Sequence, residues 1–152
     1  MYNILIILII FCILYALFYK HNITGSFEVL NGLRDVWCQN IQNATLNNSN
    51  YRKVEHTTPN FQLVTMSLKP GEEIGMERHP STTQFIRVEK GEGLATVKGF
   101  DYRLENDTGL IIPPNSLHNI KNTGTSDLKL YTIYTPPEHK SGLIQLEKPE
   151  FD

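Results

Sequence analysis

Four side chains between Glu77 and Asn122 are of types that bind metal ions, and their spacing gives them a common target: Glu77, His79, Gln84 and His118. Glu77 and His79 are two residues apart, so on an extended strand both leave the same face. Gln84 follows Pro80-Ser81-Thr82-Thr83, a run that reads as a turn or bulge rather than as a regular inner strand. His118 stands behind Pro113-Pro114-Asn115-Ser116-Leu117, a rigid turn able to aim one imidazole back at the other three groups. Two imidazoles, one carboxylate and one amide oxygen make a mixed nitrogen and oxygen shell for a single borderline divalent ion. Zinc, iron(II), manganese and nickel all suit it. An amide ligates but cannot serve as a base, so Glu77 is the only anion of the shell and the metal stays strongly electrophilic. That favours polarisation of a carbonyl or a bound water over proton abstraction by a ligand. The bland alternative is a remnant site whose polar groups bond one another and water. Burying a carboxylate without a cation is costly, which weighs toward the metal.

The elements that must carry these groups are short. From Tyr51 onward the chain is a series of runs rich in Val, Ile, Thr, Tyr and Phe, separated by turn residues. Strands are expected at Phe61 to Leu68, Phe85 to Glu89, Leu94 to Lys98, Tyr102 to Glu105, Gly109 to Ile112, His118 to Lys121 and Leu128 to Thr135. Many short strands at regular spacing predict an all-β sandwich or barrel. Strand parity turns Arg87 away from Gln84, as a surface charge, and puts Tyr131 and Tyr134 on opposite faces. His139, in Pro136-Pro137-Glu138-His139-Lys140, reads as an ordinary solvated loop histidine. His56 and Glu55 carry no pattern.

The stretch from Pro70 through Glu77, His79 and Gln84 to Gly91 and Gly93 resembles the first signature of the cupins, in which a glycine precedes two closely spaced histidines, a carboxylate and a second glycine. The stretch Asp107 to Asn122, with Pro113, His118 and Asn122 in register, resembles the second. The resemblance covers Gln39 to Glu150 and implies a cupin double-stranded β-helix, or jelly-roll barrel, able to pair into homodimers through barrel edges. Glu77 replaces the usual first histidine and Gln84 the usual glutamate. This pattern is similar to small single-domain cupins of a mannose-6-phosphate-isomerase-like subgroup, as is the tail Leu128 to His139. Asp107 and Asn115 stand at glycine positions, where a left-handed turn residue is wanted.

At 152 residues with a formal net charge of -2, the chain holds one ordinary domain and a short appendage. No basic stretch with interleaved aromatics appears, so a nucleic-acid partner is not expected. Cys12 and Cys38 are too few for a disulfide framework. Residues 4–18 are uncharged and strongly apolar, flanked by Tyr2, Tyr19 and Lys20. Residues 1–20 are therefore expected to form a transmembrane anchor. A cleaved signal peptide fits less well, because no positive charge precedes the apolar run and bulky residues occupy the cleavage region. Lys20 favours a cytoplasmic domain, whereas sequons such as Asn22-Ile23-Thr24 suit the opposite side, and the residues leave the side open. Residues 21–50 read as linker and lead-in, with a short helix around Asn31 to Trp37, and 51–152 as the barrel. Three functions compete: a membrane-tethered metalloenzyme acting on a small polar molecule such as a sugar phosphate or carbonyl compound, a non-catalytic small-molecule-binding module, and a structural element at a membrane.

Overall fold

The structure, a computed structural model, describes residues 36–150. The expected anchor over 1–20 and most of the helix expected around Asn31 to Trp37 lie outside the described residues. No helix among the described residues is long and apolar enough to cross a membrane. The compact unit is Gln39–Asp152.

Among the described residues, nine strands follow one short helix: α1 (Ile41–Asn47), β1 (Arg52–Thr58), β2 (Phe61–Leu68), β3 (Thr83–Lys90), β4 (Gly93–Val97), β5 (Phe100–Leu104), β6 (Gly109–Ile112), β7 (His118–Asn122), β8 (Leu128–Thr135) and β9 (Ile144–Gln145). They form two sheets, one of six strands in the order β6-β3-β8-β2-β1-β9 and one of three in the order β5-β4-β7. Every named pairing is antiparallel. The segment before β3 adds bridges from Glu73 to Lys121 and from Glu77 to His118, so it runs beside β7. This is the all-β jelly roll that the spacing and turn residues imply.

Side-chain alternation places the core. On β3, Gln84, Ile86 and Val88 face inward; on β8, Leu128, Leu130, Thr132 and Tyr134 do. Val64, Met66 and Leu68 of β2 and Ile120 of β7 join them, all of them 0% exposed. Two turn residues sit where the backbone needs positive φ: Asp107 at 67° and Asn115 at 61°. Gly93 is required for space, since a β-carbon there would lie 2.8 Å from Leu128 Cδ2 and 2.8 Å from the Lys121 carbonyl oxygen.

Two regions depart from expectation. Residues 41–47, read as linker, form α1, which packs across the outer face of the six-stranded sheet with Thr45 fully buried. The compact unit therefore begins at Gln39, not at Tyr51. Residues 52–58, containing the patternless Glu55 and His56, form strand β1. Arg87 is on the outer face as expected, but it pairs with Glu89 at 2.5 Å and Asp107 at 2.6 Å rather than standing as a lone surface charge.

Candidate metal centre

Backbone pairing brings the two signature segments together. The Glu77 amide donates to the His118 carbonyl at 2.8 Å and the His118 amide to the Glu77 carbonyl at 2.9 Å. These reciprocal bonds set the two residues directly opposite, with side chains on one face. The turn through Pro113 and Pro114 is docked by the Asn115 amide, which donates to the His79 carbonyl at 2.7 Å. The expectation that this turn aims an imidazole inward is met: His118 is 1% exposed and His79 is 7% exposed.

Glu77 Oε1 lies 3.2 Å from His79 Nε2 and 3.2 Å from His118 Nε2. One ligand atom from each of the three residues falls within 4.8 Å of the others. The second ring nitrogens are already committed. His118 Nδ1 is 2.8 Å from the Ser116 carbonyl, an acceptor only, so this nitrogen carries the proton. His79 Nδ1 faces the Glu138 carboxylate at 3.0 Å, which in turn accepts from the Thr82 hydroxyl at 2.9 Å. With both Nδ1 atoms donating, neutral imidazoles turn two nitrogen lone pairs toward one carboxylate oxygen. Three acceptors in contact require a cation among them, either added protons or a metal ion. Metal bonds of about 2.0–2.2 Å place neighbouring ligand atoms roughly 3.0–3.4 Å apart, and the observed 3.2 Å separations fit. The carboxylate–histidine arrangement of Glu138 and His79 is the outer-shell partner expected of a ligating imidazole.

Gln84 lies on the same inner face, fully buried. Its Nε2 donates to the Tyr134 hydroxyl at 3.1 Å, while its Oε1 is buried without a hydrogen-bond partner. A buried orphan oxygen is costly unless something supplies positive charge. The Tyr134 ring stands 5.6 Å from His79, so Gln84 joins the cluster through Tyr134. The cluster of Glu77, His79 and His118 can hold one metal ion, and the orphaned amide oxygen is of the right chemistry to complete its shell.

The electrostatics agree. Burial alone would raise the Glu77 carboxyl, but hydrogen bonds from His118 and His79, and their charge, outweigh it and bring the group down to about 2. Burial likewise opposes the charged form of His79, yet the Glu77 and Glu138 carboxylates raise it above its ordinary value. The Tyr134 hydroxyl is pushed up, first by burial and then by the Glu77 charge, against an opposing pull from Arg52.

Two further residues carry no spacing signal in the sequence. Glu138 and His139 lie in the loop after β8, clamped by the buried Gln62. Its Oε1 accepts from the amides of His139 at 2.9 Å and Glu138 at 3.3 Å, and its Nε2 donates to the His139 carbonyl at 2.7 Å. His139 is half-buried and its ring stands edge-on to Tyr134 at 5.1 Å, so it is not the solvated histidine expected. Only their place beside a cis Thr135-Pro136 turn at the end of a site-bearing strand could have drawn attention to them. Above the cluster opens a cavity of about 400 Å³, lined by Glu77, His79, Glu138 and His139 on the cluster side. A polar cleft of about 550 Å³ sits at the other end of the strands, between Gly91 and Thr125, and shares no residue with the cluster.

A two-sheet antiparallel barrel with a histidine and carboxylate cluster inside one mouth is the architecture of a cupin, and comparison with known proteins agrees. The cupin domain matches residues 64–134. A protein of Acanthamoeba polyphaga mimivirus is 41% identical over 126 residues, covering 80% of this chain and 79% of its own. Bacillus subtilis YrkC is 38% identical over 117 residues, 73% of this chain, although the chain spans only 63% of that relative's length. The crystal structure of BH2720 from Bacillus halodurans superposes with a TM-score of 0.73 at 37% identity, covering 74% of this chain and 89% of that one. The chain belongs to the cupin family.

Proposed function

We propose that this cupin is a metal-dependent enzyme in which Glu77, His79, His118 and Gln84 hold one divalent ion and a small polar carbonyl compound or sugar phosphate is the substrate. The observation that carries the reading is the single Glu77 oxygen placed 3.2 Å from two imidazole nitrogens whose partner nitrogens are engaged by Ser116 and Glu138. Once bound, the ion supplies Lewis-acid polarisation of a carbonyl or water. The protein does the rest. Ser116 and Glu138 fix the two rings, and Tyr134 accepts the Gln84 amide so that its oxygen is left for the ion. His139, lining the cavity beside Tyr134, is the side chain placed to carry a proton, which no ligand of this shell can do. The apolar run of residues 1–20 would tether the barrel to a membrane.

The test is elemental analysis of the full chain beside an His79→Ala, His118→Ala double variant. About one ion per wild-type chain and none in the variant is expected, and equal metal content in the two would remove the assigned ligands. Metal-loaded protein is then offered sugar phosphates and keto acids with product analysis. A chain that retains one of these compounds and returns it unchanged is a binding module and not an enzyme.

A further inference from the structure

Of the two imidazoles in the cluster, one is set locally and the other is not. His118 Nδ1 is held by the carbonyl of Ser116, two residues before it. His79 Nδ1 is held by Glu138, which must be brought to it from the loop after β8. That loop is fixed from β2, a strand that carries no member of the cluster, by Gln62. Gln62 is 0% exposed, and both polar atoms of its side chain are fully used. Oε1 accepts from the Glu138 and His139 amides, while Nε2 donates to the His139 carbonyl at 2.7 Å and to the Thr57 hydroxyl at 3.0 Å. These four bonds fix which way the amide points, because a flipped group would turn its NH2 on two N–H donors.

The Thr57 contact depends on an irregularity in β1. Val54 lies opposite Val64, and regular pairing onward would set His56 opposite Gln62. The bulge between Val54 and His56 inserts one residue, so His56 falls opposite Leu63 and Thr57 opposite Gln62. A small hydroxyl able to accept from Nε2 thus stands where an imidazole would otherwise be.

From Gln62 the connection to the cluster is continuous. The clamp holds the backbone at Glu138 and His139, the buried Thr82 hydroxyl donates to Glu138 Oε2 at 2.9 Å, and Glu138 Oε1 meets His79 Nδ1 at 3.0 Å. A carboxylate only accepts, so Nδ1 carries the proton and Nε2 turns its lone pair toward Glu77. We infer that Gln62, seated on Thr57 by the β1 bulge, is a positioning residue for this centre: it holds Glu138 against His79 and so decides which ring nitrogen the cluster receives. That Nε2 then binds an ion rests on the metal-dependent reading proposed above; the setting of the ring does not.

Long-range proton–nitrogen correlation spectra of the imidazole rings test this on the full chain in detergent. They are recorded at alkaline pH, where the rings are neutral, first with chelator and then with zinc. Wild-type protein should show His79 and His118 both protonated at Nδ1, and Glu138→Ala identifies the His79 signal that depends on the carboxylate. Gln62→Met is close in volume and lacks the amide. It should mix the two tautomers of His79, leave His118 unchanged, and weaken zinc binding by at least about tenfold, the usual cost of losing an outer-shell partner of a ligating histidine. Thr57→Val should move the same His79 signal to a smaller extent, and an unmoved signal there would overturn the inference if Gln62→Met fails to fold. Asn122→Leu, at the opposite end of the barrel, should leave both rings as in wild type. A folded Gln62→Met protein with His79 protonated at Nδ1 alone and zinc affinity unchanged would make Gln62 a loop-holding amide like Asn122. Loss of the His79 preference in Gln62→Met, beside a wild-type chain that binds no zinc, would sink the metal reading and leave the positioning role standing.

Discussion

Two buried amides on the inner face of the barrel, Asn122 and Gln84, lead opposite lives. Asn122, at the end away from the cluster, donates to the carbonyls of Leu68 and Ser126, both at 2.8 Å, and accepts from the Gly124 amide at 2.9 Å. Its polar atoms are spent on pinning loops. Gln84, at the cluster end, donates once to Tyr134 and leaves a buried oxygen without a partner. The same contrast runs row by row across the six-stranded sheet. Leu68 lies opposite Leu128, and Leu130 lies between Met66 and Val88. One row nearer the mouth, Thr132 lies between Val64 and Ile86, and at the mouth itself Tyr134 lies between Gln62 and Gln84. Each strand thus changes from sealing apolar residues to polar ones within its own length. The lesson is a division of labour along the strands: one end supplies stability, and the other holds polar groups that the scaffold alone does not satisfy.

The sharpest way to break this division is to damage the sealed end. Leu128 is fully buried against the position where Gly93 has no side chain to give. Leu128→Ala should cost about 2–5 kcal/mol of stability, the transfer loss plus a cavity that the rigid sheet cannot close. Metal bound per folded molecule should not change. Chemical denaturation beside elemental analysis measures both, and loss of metal from protein that is still folded would show that the two ends are not separable.

How far this division is legible in the sequence depends on whether a strand shows an apolar period. Phe61–Leu68, Gly109–Ile112 and Leu128–Thr135 are read to the residue, because they end just before Lys69-Pro70-Gly71, Pro113-Pro114 and Pro136-Pro137. The pairing of Glu77 and His79 with His118 follows from spacing and a stiff diproline turn. β1 is illegible because its inward face leads with Arg52 and because a bulge between Val54 and His56 breaks its alternation, so that Thr57 turns inward against Gln62. α1, with three Asn or Gln among seven residues, is a poor helix former, kept by the Asn40 side chain capping the Asn43 amide and by burial of Thr45. Glu138 and His139 reach the site through a clamp from Gln62, seventy-odd positions earlier, and no local pattern encodes such a contact.

The paired amides offer a finer test. Asn122→Leu takes the side-chain donor from the Leu68 and Ser126 carbonyls and leaves the Gly124 amide with the Glu92 carbonyl alone, at 3.2 Å, and should destabilise metal-free protein by about 1–3 kcal/mol. Gln84→Leu removes an oxygen that already lacks a partner, so metal-free Gln84→Leu protein should be at least as stable as wild type while its metal affinity falls. Equal destabilisation by the two substitutions would mean that Gln84 is another structural amide.

The smallest expected effect is the pH dependence of the metal-free protein, and its sign distinguishes the two ends again, since the groups with shifted titration in the cluster have no counterpart in the leucine rows. Glu77 titrates at about 2 in the folded protein against an ordinary 4.5, so its contribution to stability is present above pH 4.5 and is lost as pH falls toward 2. His79 is raised above 6.5, so its contribution is present below that value and is lost as pH rises through the folded value. With chelator present, both contributions are whole only between about pH 4.5 and 6.5, and the melting temperature should be highest there. A divalent ion needs the imidazoles deprotonated, so zinc should restore on the alkaline side what the proton loses, and restore little below pH 4.5. The His79→Ala, His118→Ala protein, lacking both partners of Glu77, should lose the maximum and the zinc response together. A melting curve against pH that is the same for this variant and the wild type would place the titrating groups elsewhere and leave the cluster without electrostatic tension for a metal to relieve.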